Sequence, residues 1–158
     1  MNIQKLINYG SMVLKKNKIV SYSLDSEILM SKAIQKDRGY IMLHLDEKLD
    51  KKISDYYKDL IIQRSTHKPI AYILGEKSFW NYEFNISKDV LIPRPDTEII
   101  VEKVLEITKN KSKQKILDIG TGSGCILLTI LKEKLNFYGT GIDISKKCID
   151  ITRINAIK

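Results

Sequence analysis

Five residues carry the strongest chemical signal in the sequence: Asp118, Gly120, Gly122, Gly124 and Asp143. Asp118 stands near the end of an apolar run, 115–119. The glycines follow as Gly-Thr-Gly-Ser-Gly, and Asp143 closes a second apolar run nineteen residues after Gly124. Glycines at a strand-to-helix turn let the backbone come within contact distance of a ligand and adopt conformations that a Cβ forbids. An acid about 20 residues downstream, at the tip of the next strand, is where the ribose diol of a nucleoside is held in α/β folds. The pairing points to a nucleoside cofactor. A glycine-rich turn without a ligand and a nicotinamide or flavin site are the alternatives that the residues leave open.

The dinucleotide fingerprint places its third glycine three positions after the second. Here that position is Cys125, and the spacing is Gly-x-Gly-x-Gly. No Gly-Lys-Ser/Thr follows, which excludes a phosphate-cradling P-loop. Asp118 followed by Gly120, Thr121, Gly122, Ser123 and Gly124 resembles motif I of the class I S-adenosylmethionine-dependent methyltransferases. The resemblance implies S-adenosyl-L-methionine as cofactor, with the glycine loop against its methionine moiety and Asp143 on its ribose hydroxyls.

The elements that must position these residues fall into two kinds. Up to residue 75 the periodicity is helical. Ile3, Leu6, Ile7 and Leu14 fit one apolar face; Leu24, Ile28, Ala33 and Ile34 fit a second, with Asp25 and Glu27 near its start. A short helix is expected over 40–45. A further one carries Ile53, Tyr57, Leu60, Ile61 and Arg64 and ends before Pro69. Pro69 to Gly75 reads as one compact helical turn. A small helical bundle over 1–75 is the natural product. Residues 78–86 are aromatic and roughly alternating, which predicts a hairpin arm. Its turn is expected at Ser87-Lys88-Asp89 and its returning strand at Val90-Leu91-Ile92. After Pro93-Arg94-Pro95, Asp96 and Glu98 open a helix with Ile100, Val101, Val104 and Leu105 inward. Next come a strand at 115–119, a helix at 124–134, a strand at 137–142 and a helix capped by Ser145.

Composition limits the function classes. Hydrophobic residues make up 43% of 158 positions, as in a globular protein. The longest apolar run is far short of the ~20 residues of a membrane span, and the start lacks the apolar block of a signal peptide, so a cytoplasmic protein is expected. Cys125 and Cys148 have no metal-like spacing and read as buried thiols. His44 and His67 read as surface or helix-end residues, and no metal site is expected. The net charge of +8 is spread, with no basic run longer than two. Such interleaving indicates a solvated surface rather than specific nucleic-acid recognition, while general attraction to a ribosome-like partner needs no local motif.

One stretch narrows the family. Arg64, Pro69, Ile70, Tyr72, Ile73, Gly75 and Phe79 lead into Val90-Leu91-Ile92-Pro93-Arg94-Pro95-Asp96-Thr97-Glu98. This resembles the junction of the HemK/PrmC-type protein-glutamine methyltransferases, and the resemblance extends over essentially the whole chain. It implies a helical substrate-recruiting domain (1–75), a linking β-hairpin (76–95) and the first half of a Rossmann-like cofactor domain (96–158). It also implies that Arg94 and Thr97 lie near the methionine end of the cofactor. From the residues alone, Arg94 could instead pair with Asp96, Glu98 or Asp118, and Phe79 and Trp80 could be pocket or core.

The implied activity is methylation of the glutamine side-chain amide in the Gly-Gly-Gln loop of class I translation release factors. An amide nitrogen is a poor nucleophile, and the family orients it with an Asn-Pro-Pro-Tyr element. The only prolines here are Pro69, Pro93 and Pro95, so no catalytic residue is assigned. The chain reads as an incomplete domain that is not expected to transfer methyl groups by itself. Two rival readings remain: a methyltransferase for adenine amines of DNA or RNA, and a non-catalytic module that docks release factor or ribosome.

Overall fold

The computed structural model describes residues 1–158 as two compact units, Met1–Leu74 and Gly75–Lys158. The first is all helical and the second mixes helices with two small sheets.

In the first unit, α1 (Ile3–Lys16), α2 (Tyr22–Ile34), α3 (Arg38–Leu43), α4 (Lys51–Ser65) and α5 (Ile70–Leu74) follow in order. Their starts are chemically marked. The side chains of Asn2, Asp37 and Asp50 accept the backbone N–H of Lys5, Tyr40 and Ile53, satisfying amides that a first turn leaves without partners. The core gathers Ile3, Leu6 and Leu14 of α1, Leu29 and Met30 of α2, and Tyr57, Leu60 and Ile61 of α4. Gly10 makes the close crossing feasible. A Cβ there would lie 2.1 Å from the Tyr57 hydroxyl and 2.7 Å from Ser26 Oγ.

The face of α2 differs from the apolar face expected. Leu24 is 45% exposed, whereas Asp25 and Ser26 are buried beside Leu29, Met30 and Ala33. The cause is polar pairing at long range. Arg64 Nε donates to Asp25 Oδ2 at 2.7 Å, and Ser21 Oγ donates to the same oxygen at 2.8 Å. Ser26 Oγ donates to the Ile7 carbonyl at 2.9 Å and lies 2.6 Å from the Tyr57 hydroxyl. Burial pushes the Tyr57 phenol well above its ordinary range, so it stays protonated.

The second unit opens with the hairpin β1 (Glu76–Phe79) and β2 (Tyr82–Asn85). Its turn is Trp80-Asn81, not Ser87-Lys88-Asp89, and residues 90–92 form no returning strand. Two facts explain the difference. Pro93 and Pro95 lack the N–H that a ladder needs, and Asp89 is drawn to α8 (Lys146–Ile157), where Lys147 Nζ donates to its Oδ1 at 2.8 Å. Trp80 holds φ +56°, a conformation costly for a bulky residue. It is pinned there by its backbone N–H on Glu98 Oε1 (2.7 Å) and its indole N–H on Glu133 Oε1 (3.0 Å). Phe79 is core, 1% exposed.

A 3₁₀ turn (Pro95–Thr97) leads into α6 (Glu98–Ile107). Val101 is its buried residue, and Ile100, expected inward, is 49% exposed. Then β3 (Lys115–Ile119), α7 (Cys125–Glu133) and β4 (Tyr138–Ile142) form a parallel βαβ unit. One face of this two-stranded sheet carries Ile116, Asp118, Gly139 and Gly141 and packs on α7. A Cβ at Gly139 would sit 2.7 Å from Leu127. The opposite face leaves Leu117, Ile119 and Ile142 exposed. Cys125 and Cys148 are buried and free, and burial pushes the Cys125 thiol up. No helix is long and apolar enough to cross a membrane.

Thr129 of α7 is fully buried, and its hydroxyl has no hydrogen-bond partner. Replacing an unsatisfied hydroxyl by a methyl of the same shape removes a desolvation penalty. Thr129→Val is therefore expected to be neutral or to stabilise by up to about 1 kcal/mol, raising the melting temperature by roughly 2–4 °C. A loss of stability in thermal unfolding would show that the hydroxyl is satisfied in solution.

Candidate functional site

The site forms where β3 and β4 end side by side. Their parallel register pairs Ile119 with Ile142, so Gly120 and Asp143 emerge at neighbouring strand tips. The Ile142 carbonyl accepts the N–H groups of both Gly120 (2.8 Å) and Thr121 (3.0 Å), which turns the chain sharply at the end of β3. Gly120, Gly122 and Gly124 all hold positive φ, +79°, +58° and +79°. Gly124 also meets α7 and α8 closely: a Cβ there would lie 2.8 Å from Thr152 and 2.9 Å from Leu128. Its carbonyl accepts the Leu128 N–H and starts α7.

The side chains of the loop divide by direction. Thr121 and Ser123 are buried, and Thr121 Oγ1 donates to Asp118 Oδ2 at 2.8 Å. Gly141 on β4 gives Thr121 its room, since a Cβ there would sit 3.0 Å from the hydroxyl. These polar residues hold the loop from within. Gly120 faces the other way, and a Cβ on it would meet nothing within 4 Å. It borders a cavity of about 370 Å³ with Ile119, Ile142, Asp143 and Ile144.

Asp143 is bound at both oxygens. Oδ1 accepts the Ser145 N–H at 2.9 Å and Oδ2 accepts the Gly122 N–H at 3.0 Å. Those two amides, Ser145 first, hold its carboxyl below the usual carboxylate range. An ionised carboxylate has about four lone-pair sites, so acceptor capacity remains toward the cavity. Ile144 beside it is fully exposed and apolar.

Arg94 and Thr97 do not border this cavity. Arg94 is exposed and makes no ion pair with Asp96, Glu98 or Asp118. Glu98 is instead committed to the Trp80 backbone. The Thr97 N–H closes the 3₁₀ turn on the Arg94 carbonyl at 3.0 Å. Sequence reasoning missed Ile119, Ile142 and Ile144 as cavity residues. Apolar residues flanking the glycines and the acid were the available signal. It also missed Thr152 and Asn155, whose contacts with the loop have no local signature.

The lining suits a nucleoside carrying an uncharged ring and a diol: one ionised acceptor, one open glycine position and exposed aliphatic side chains. No basic residue borders the cavity, so a pyrophosphate would find no countercharge there.

Residues 5–75 match the PrmC N-terminal domain family. The release factor glutamine methyltransferase of Clostridium botulinum is 45% identical over 130 residues, covering 82% of this chain and 46% of that protein. The release factor glutamine methyltransferase of Leptospira interrogans is 37% identical over 158 residues, covering 99% and 55%. The bifunctional methyltransferase of Rickettsia felis is 34% identical over 184 residues, covering 99% and 35%. The chain thus spans about half the length of the release factor glutamine methyltransferases it matches. With its helical unit matching that amino-terminal domain and the similarity running through the glycine loop, the chain belongs to the HemK/PrmC family.

Proposed function

We propose that this protein serves S-adenosylmethionine-dependent methylation of the glutamine side-chain amide in the Gly-Gly-Gln loop of class I release factors. On this reading residues 1–75 help recruit the protein substrate, residues 76–95 link, and residues 96–158 begin a Rossmann-like cofactor domain. The observation that carries the cofactor reading is the pairing of Gly120 and Asp143 at adjacent parallel strand tips across an open cavity. Ligands of open parallel sheets bind at the carboxyl ends of the strands.

Each residue then has a task. Asp143 accepts from the ribose hydroxyls with the lone pairs that Gly122 and Ser145 leave free. Gly120 and Gly122 let the methionine portion lie against the backbone. Ile142 and Ile144 offer apolar surface to the adenine ring. Asp118 keeps Thr121 turned inward, away from the ligand. Arg94 and Thr97, at the 3₁₀ turn before α6, are assigned to the methionine end by family similarity alone. When bound, S-adenosylmethionine supplies an electrophilic methyl on a sulfonium. Orientation of the glutamine amide falls to the Asn-Pro-Pro-Tyr element of the family, which this sequence does not contain.

Titration of the 158-residue chain with S-adenosylmethionine, by calorimetry and Trp80 fluorescence, is expected to show saturable one-to-one binding. Labelled methyl groups are expected on release factor only when a polypeptide carrying the Asn-Pro-Pro-Tyr portion of a relative is added. Label on DNA or RNA adenine instead would select the base-amine reading. Capture of release factor by a chain with no cofactor affinity would leave a docking module.

A further inference from the structure

Two polar side chains of α8 are turned onto the glycine loop, and neither belongs to any motif. Asn155 is 4% exposed and fully satisfied. Its Oδ1 accepts the Asn85 backbone N–H at 2.7 Å and the Asn85 side-chain amide at 3.0 Å. Its Nδ2 donates to the Asn85 carbonyl at 3.0 Å and to the Ser123 carbonyl at 2.8 Å. An Asn side chain offers two donors and two lone pairs, and all four are in use. Toward β2 the amide substitutes for the peptide of a neighbouring strand, bonding both the N–H and the C=O of one residue. Toward the loop it fixes a carbonyl.

Thr152, one turn earlier on α8, does the same for the preceding residue. Its Oγ1 donates to the Gly122 carbonyl at 3.0 Å, while the Gly122 N–H goes to Asp143. Both backbone groups of Gly122 are therefore set by side chains, one on α8 and the other on the acid at the cavity. Two successive carbonyls, of Gly122 and Ser123, point at α8. In a trans peptide the N–H lies opposite the carbonyl, so the amides of Ser123 and Gly124 turn away from that helix. The absence of a Cβ at Gly124 lets α8 come this near.

We propose that Thr152 and Asn155 are positioning residues that hold the glycine loop in its cofactor-binding conformation and couple it to the hairpin. The inference rests on the reading of this loop as the S-adenosylmethionine site. It adds that loop geometry is set from α8, a helix that does not line the cavity.

The test uses the free 158-residue chain and the same chain titrated with S-adenosylmethionine. Thr152→Val removes the hydroxyl at nearly constant shape, Thr152→Ser restores it, and Asn155→Asp keeps the acceptors but loses both donors. Amide hydrogen exchange at Gly122 and Gly124, the melting temperature and the calorimetric affinity are measured for each. Loss of one net hydrogen bond corresponds to roughly five- to tenfold in an equilibrium. Thr152→Val is expected to speed exchange at both amides and weaken affinity by about that factor, with little change in melting temperature. Thr152→Ser should recover both. Asn155→Asp should strip the Asn85 and Ser123 carbonyls of their donor and speed exchange at Gly124, and if it does not fold the Thr152 pair decides alone. Unchanged loop exchange in Thr152→Val, or faster exchange with unchanged affinity, would overturn the proposal. A parent chain that keeps its loop protection but binds no S-adenosylmethionine would overturn the cofactor reading and the assigned role with it. Exchange in the free chain separates the two failures.

Discussion

Asp143→Ala is expected to weaken S-adenosylmethionine binding by about ten- to a hundredfold, the range for losing hydrogen bonds to a charged acceptor. Two losses combine in this variant. On the proposed reading the ribose diol loses its acceptor, and Gly122 loses the oxygen that fixes its N–H. Asp143→Asn, which keeps one carbonyl oxygen, should fall between parent and alanine. The depressed carboxyl also sets a pH dependence. A folded value below the unfolded one means the contribution is complete above the unfolded carboxylate range and is lost as pH falls through the folded value. Affinity and loop protection should therefore be flat from roughly pH 8 to 5 and decline below about pH 4. Calorimetry across that range checks both statements. An alanine variant with parental affinity would remove Asp143 from the ribose role.

Arg64→Met is expected to destabilise the helical unit by about 3–5 kcal/mol, because it leaves Asp25 charged and buried with its main partner gone. The two side chains are only 15% and 5% exposed, which separates this pair from the exposed ones on the surface. A unit of this size holds roughly 4–11 kcal/mol in total, so the variant should approach unfolding at moderate temperature. Replacing both partners removes the stranded charge, and Asp25→Leu with Arg64→Met should recover most of the loss. Urea unfolding followed by helical circular dichroism measures both. A cost under about 1 kcal/mol for Arg64→Met would mean that the pair behaves like a solvated one. The pair has a second consequence, since it sets which way α2 faces.

Short-range chemistry made much of this protein legible in its residues. The spacing of Ile3, Leu6, Ile7 and Leu14 gave the buried face of α1. Pro69 and Gly75 bracketed α5, and Ser145 capped α8 by accepting the Cys148 N–H. The strand-loop-helix-strand order from 115 to 142, with glycines and acid at the strand ends, could be read because each signal lies within a few residues of the structure it controls. The resemblance carried by the residues around Pro93-Arg94-Pro95 and by the glycine loop led to the family that the comparisons show.

Much of what failed in the sequence failed for one physical reason. Apolar periodicity records which residues are hydrophobic, not which polar groups find partners far along the chain. Leu24 was expected inside and lies outside because Asp25 meets Arg64 and Ser26 meets Tyr57, 39 and 31 residues away. The hairpin turned at Trp80-Asn81 rather than at 87–89 because Glu98 and Glu133 capture Trp80 while Lys147 captures Asp89. Thr152 and Asn155 gave no sign of their contacts, since a threonine and an asparagine on a helix look like solvent-facing residues until a loop carbonyl is placed against them. The sequence by itself determined the helices, the parallel pair and the presence of a glycine-and-acid site, all encoded by neighbours. Tertiary structure alone decided which faces turn inward and what holds the glycine loop, because a buried polar group takes its direction from a partner that only folding brings within 3 Å.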